Sequence, residues 1–121
     1  MITHVKFVSI PTTDQDRALA FYTQKLGFKL VTDQPSGVGE QRWIELRVGS
    51  SDTRVVLFTA ENGPKPGFAF NGALACNDVE QTYQDLTARG VAFEAAPKKE
   101  PWGTFASFKD PDGNAFVLSS R

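Results

Sequence analysis

Residues 12–28 read "TTDQDRALAFYTQKLGF", and the fold of the whole chain follows from this stretch and its echo. Thr13 or Asp14 suits the position just before a helix, where a short side-chain oxygen accepts from an otherwise unpaired backbone N–H. Gly27 suits the position just after it, where positive φ is needed. Between them Ala18, Phe21, Tyr22 and Leu26 fall at helical spacing and make an apolar stripe. Before the stretch "VKFVSI" (5–10) reads as a strand; after it come "FKLVTDQ" (28–34), "RWIELRVG" (42–49) and "TRVVLFT" (53–59), the last two forming a hairpin about "GSSD".

The order then repeats. "GALAC" (72–76) is a strand, Asp78 caps a helix carrying Val79, Tyr83 and Leu86, and Gly90 ends it. "VAFEAAP" (91–97) is the next strand, and "GTFASFK" (103–109) with "NAFVLSS" (114–120) is the closing hairpin. Asp78 follows Asp14 by 64 residues and Gly90 follows Gly27 by 63, while "VVLFT" matches "FVLSS". The chain is therefore an α+β protein, one domain spanning 1–121, made of two βαβββ units at about 4–60 and 70–121. The Pro/Gly linker occupies 61–69. Such a duplication predicts a curved, barrel-like mixed sheet with helices on its outer face.

The acidic turn "DPDGN" (110–114) invites a calcium loop, but the twelfth position counted from Asp110 is Arg121, a cation where a bidentate Glu is required. Pro, Gly, Asp and Asn in this order read instead as a turn between two strands.

Bulk properties remove several functions. With 121 residues, 40% hydrophobic and 22% charged, the chain is long enough for one core and is neither disordered nor membrane-like. A net charge of −1 with no basic stripe gives no attraction to nucleic acid or anionic lipid. No signal peptide is legible at "MITHVKFVSI", and one cysteine, Cys76, excludes an internal disulfide, so a reducing cytoplasm is expected. One His and one Cys also exclude a Cys/His zinc site within the chain.

"TTDQDRALAFYTQKLGF", "CNDVEQTYQDLTARGVAF" and "DPDGN", in this order and spacing, resemble the vicinal oxygen chelate superfamily over nearly the whole chain. That superfamily includes glyoxalase I, extradiol dioxygenases and bleomycin-resistance proteins, so it spans metal-dependent enzymes and plain drug binders. The resemblance implies four metal-ligand positions, and it places Phe7, Leu57, Asn71 and Val117 there. Two aliphatics, a phenyl ring and one amide do not hold a divalent cation. His4, three residues from Phe7, falls on the opposite strand face. The expectation is no cofactor; a divalent metal is the alternative.

Alternation puts Trp43, Glu45 and Arg47 on the concave side, with Ile44, Leu46 and Val48 toward the helices. Glu45 and Arg47 read either as a solvated pair or as charged anchors in an aromatic-walled pocket. Trp102, before the seventh strand, either stacks on a ligand or plugs the end of the sheet. Phe7, Trp43, Glu45, Arg47, Leu57, Asn71, Trp102 and Val117 together form the expected cavity lining. Two functions follow: a metal-free binder of an apolar or aromatic small molecule, or a lyase- or isomerase-type enzyme using a metal or Glu45 as base. The resemblance further implies a homodimer with ligand grooves between subunits.

Overall fold

The computed structural model describes residues 1–37, 39–59 and 71–120; the expected linker at 61–69 lies outside them. The first unit comprises β1 (Val8–Pro11), α1 (Gln15–Ala20), β2 (Lys29–Pro35), β3 (Arg42–Arg47) and β4 (Arg54–Phe58). The second comprises β5 (Asn71–Ala75), α2 (Val79–Ala88), β6 (Lys98–Glu100), β7 (Gly103–Lys109) and β8 (Ala115–Ser119). Each unit makes its own four-stranded mixed sheet, in the orders β1-β4-β3-β2 and β5-β8-β7-β6. In each, the first strand runs parallel to the last. The duplicated βαβββ architecture is thus present, as two curved sheets that do not close into one barrel.

Local chemistry explains the elements. Asp14 caps α1 by accepting from the Arg17 N–H, and Asp78 caps α2 by accepting from the Gln81 N–H. Gly27 takes φ of 78° in open surroundings, so the conformation rather than crowding calls for glycine there. α1 continues as a π-helical turn, Phe21–Lys25, in which the Leu26 N–H reaches the Phe21 carbonyl at 3.2 Å. The wider turn buries Phe21 and Tyr22 side by side, edge-on at 5.2 Å.

These two rings join the halves. Phe21 packs on Phe108, and Tyr22 on Phe28 and Phe116. Ile10, Ile44, Leu46 and Leu57 from the first sheet, and Ala106, Phe108, Phe116 and Leu118 from the second, belong to the same buried cluster.

The 91–97 segment differs from expectation. Only Phe93 makes a bridge, to Phe108, and the strand that pairs with β7 is Lys98–Glu100. Ala95 and Ala96 are exposed and too small to anchor a strand, and Pro97 lacks a ladder N–H.

The "DPDGN" turn forms as expected: Asp110 accepts from the Asp112 and Asn114 N–H groups, and Gly113 has φ of 87°. It also does what its local sequence does not show, gripping the start of the first helix. Asp112 accepts from the Thr12 and Thr13 hydroxyls, the Thr13 N–H and the Arg17 guanidinium, the last at 2.6 Å. Asn114 donates to the Pro11 carbonyl at 2.8 Å.

Candidate functional site

Strand register decides which side chains share a face. In β3, Ile44 and Leu46 are fully buried in the core, so Trp43, Glu45 and Arg47 project from the other side of the sheet, as the alternation indicated. Glu45 is opposite Val56, Arg47 opposite Arg54, and Ser9 of β1 beside Val56. The face of the first sheet turned away from the core is therefore built from Trp43, Glu45, Arg47 and Arg54 around a buried Val56, with Phe7 at its edge.

Leu57 does not belong to it. It pairs with Ile10 and Ile44, is 0% exposed and packs in the core under α1. The family resemblance put it at a cavity-facing ligand position, and hydropathy could not correct the phase because Val55, Val56 and Leu57 are apolar on both faces. The duplication supplies one: "VVLFT" laid on "FVLSS" aligns Val56 with Val117 and Leu57 with Leu118. Leu118 is indeed in the core and Val117 is not.

The open face has a defined corner. Phe7 meets Trp43 edge-to-face, 5.4 Å between centroids at 85°. The Trp43 indole donates to Glu45 Oε1 at 3.3 Å, and Arg54 Nη1 donates to Glu45 Oε2 at 2.8 Å. Both carboxylate oxygens of Glu45 thus have donors. Glu45 is held in place as an acceptor, not left free as a base. Arg54 Nε is buried and lacks a hydrogen-bond partner among the described residues. Arg54 was missed at the sequence level; its signal was its place diagonally across from Glu45 in the β3–β4 hairpin.

The other expected residues lie on the second sheet. Asn71 and Val117 share the face opposite to Leu74, Phe116 and Leu118. Asn71 also borders a cleft of about 720 Å³, together with Ala73 and Phe116 and, from the first unit, Val8, Ile10 and Val55. Trp102, 59% exposed, stacks on Phe105 at 5.4 Å and 12°. Among the described residues, no hydrogen bond, ion pair or ring contact joins Asn71, Trp102 or Val117 to the Phe7–Trp43–Glu45 group. The expected lining is split into two patches. His4 is exposed, ahead of β1, with Thr3 Oγ1 at 3.0 Å from its Nδ1.

Cys76 packs against the core, and burial pushes its thiol pKa up, as expected of a structural cysteine.

Residues 2–118 match the sequence profile of the Glyoxalase/Bleomycin resistance protein/Dioxygenase superfamily. The chain belongs to this superfamily. Among its relatives, the Bacillus subtilis (strain 168) protein YetH is 34% identical over 123 residues, covering 98% of each chain. Of the solved structures, UcmS2 superposes with a TM-score of 0.88 at 33% identity and full coverage of both chains. TnmS3, described as an antibiotic-binding protein from Streptomyces sp. CB03234, gives 0.85 at 41% identity, covering 98% of this chain and 95% of its own.

Superfamily enzymes use a divalent metal, and the positions that would carry it here do not fit one. With Val56 replacing Leu57, the set is Phe7, Val56, Asn71 and Val117: a single amide oxygen and three groups with no donor atom. Among the described residues no group of three or more His, Cys, Asp or Glu side chains is placed to hold a metal ion.

Proposed function

We propose that this superfamily member is a small-molecule binding protein that holds an aromatic ligand against the open face of its first sheet and needs no metal to do so. The observation that carries the reading is the Phe7–Trp43 corner beside Glu45, whose two oxygens are already engaged by Trp43 and Arg54. An apolar wall with a few fixed polar groups is the usual make-up of a ligand site. Glu45 in this state orients Arg54 and the indole rather than abstracting a proton, so the geometry favours binding over turnover. The 41% identity to an antibiotic-binding protein points the same way.

The reading includes a homodimer. β1 and β5 are edge strands of their sheets, and Val8, Leu30 and Val31 are exposed apolar side chains on the first unit. Association of two chains covers such edges and can bring the first-sheet patch of one chain near the Trp102–Phe105 patch of another.

Native mass spectrometry of the purified protein, followed by titration with planar aromatic compounds while tryptophan emission is recorded, tests the binder reading. Saturable quenching that is lost in Trp43→Ala supports it. Absence of any response to such compounds, or turnover of a glyoxalase-type substrate by the metal-free chain, would remove it.

A further inference from the structure

The open face of the first sheet carries an arrangement of charge that folding does not explain. Lys29 is directly opposite Arg47, and Arg47 directly opposite Arg54. Three cations therefore stand in one row across β2, β3 and β4. Like charges placed directly across a ladder repel and destabilise the pairing. Among the described residues, Lys29 and Arg47 have no ion-pair partner; Arg54 has Glu45 alone. Glu45 is the one acid shown to touch the row, a single negative charge against three cations. Arg54 also keeps a buried Nε without a hydrogen-bond partner among the described residues. The row ends beside the Phe7–Trp43 corner, since Trp43, Glu45 and Arg47 alternate along β3 and the indole bonds the same carboxylate as Arg54.

From this juxtaposition we infer the ligand class: a planar aromatic molecule bearing an anionic oxygen, a carboxylate or phenolate. Its ring lies against Trp43 and Phe7, and its oxygen takes the donors of Arg47 and Arg54. Guanidinium suits this role because its fork of N–H groups matches a carboxylate and its flat face tolerates a neighbouring ring. The inference rests on the binder reading above and gives it a charge requirement which that reading alone does not have. Arg47 and Arg54 become specificity-determining residues, whereas Trp43 serves any aromatic ligand.

The test is isothermal titration calorimetry of the full chain with three probes that share one ring system: 2-naphthoate, 2-naphthalenemethanol and 2-naphthylmethylammonium. The naphthoate is expected to bind at least about tenfold more tightly than the alcohol, the usual effect of a charged hydrogen bond. The ammonium should bind most weakly. That preference for the acid should collapse in Arg47→Gln and Arg54→Gln, while Trp43→Ala weakens acid and alcohol alike. Equal affinity for acid and alcohol, tighter binding of the ammonium, or a preference that survives both arginine substitutions overturns the charge requirement and leaves the aromatic binder standing. No binding of any probe at millimolar concentration overturns both. Should Arg54→Gln fail to fold, Arg47→Gln decides, because Arg47 is exposed and has no ion-pair partner among the described residues.

Discussion

Tyr22 in the π-helical turn after α1 donates its hydroxyl hydrogen to Asp110 at 2.5 Å, although the two residues are 88 positions apart. Burial, and the adjacent Asp110 carboxylate, keep the phenol protonated far beyond its ordinary range, so the bond persists at any physiological pH. Asp110 Oδ2 also accepts from the Asn114 amide at 2.8 Å. Tyr22→Phe removes one of the two donors to Oδ2 seen among the described residues and should cost about 1–3 kcal/mol in urea unfolding, the range for a buried group left short of a partner. A change within experimental error would show that water replaces the phenol.

Asp112 is the centre of the grip on the first helix. Burial works to raise its pKa, but hydrogen bonds from Thr12 and Thr13 and the charge of Arg17 outweigh that and hold it below the ordinary value. A folded pKa below the unfolded value of about 3.9 means the contribution is fully present above that value. It is lost as pH falls through the lower folded value. Thermal melts between pH 6 and 2 (chosen to bracket both values, about 3.9 and below) should therefore fall more steeply for the parent chain than for Asp112→Asn. Parallel curves would show that Asp112 titrates alike in both states.

Leu57 and Trp43 test the assignment of faces. Leu57→Ala empties a core position and should cost about 2–5 kcal/mol of stability, without specific effect on ligand response in the folded fraction. Trp43, 37% exposed, should do the reverse: Trp43→Ala weakens aromatic ligands by about 1–3 kcal/mol with little change in melting temperature. The opposite pattern would place Trp43 in the core.

Elemental analysis after dialysis should find well below one divalent metal per chain, because the donor set at Phe7, Val56, Asn71 and Val117 is too poor. A reproducible one-to-one content of zinc, nickel or iron would require a different ligand set.

Light scattering at micromolar concentration should give about twice the 13.3 kDa chain mass. A monomer at every dilution would confine any ligand to the face of a single chain.

How much of this was legible depended on whether the signal was local. Asp14, Asp78, Gly27 and Gly90 announce helix ends through capping and positive φ, and both helices begin and end as these residues require. The phase of β3 was readable because Trp43, Glu45 and Arg47 alternate with aliphatics. The phase of β4 was not, because Val55, Val56 and Leu57 satisfy either face; only comparison with β8 resolves it. Long-range bonds were invisible. Nothing in "DPDGN" says that its second acid meets Thr12, since that contact depends on how two separately readable units pack. The cation row was hidden for the same reason: Arg47 stood out as a candidate anchor, but Lys29 and Arg54 are unremarkable until strand pairing sets them beside it.

The bond between Thr12 and Asp112 spans 100 residues and bears on how the chain is made. Synthesis delivers the first βαβββ unit early, and units made early ordinarily fold early. Here the hydroxyls of Thr12 and Thr13 and the guanidinium of Arg17 must wait for an acid of the second unit. A nascent or prematurely stopped chain ending before Asp110 is therefore expected to carry a first helix with a loose start and Tyr22 without its acceptor. Emergence of the second unit's 110–114 turn, rather than completion of the first repeat, would then be the event that locks the start of the first helix.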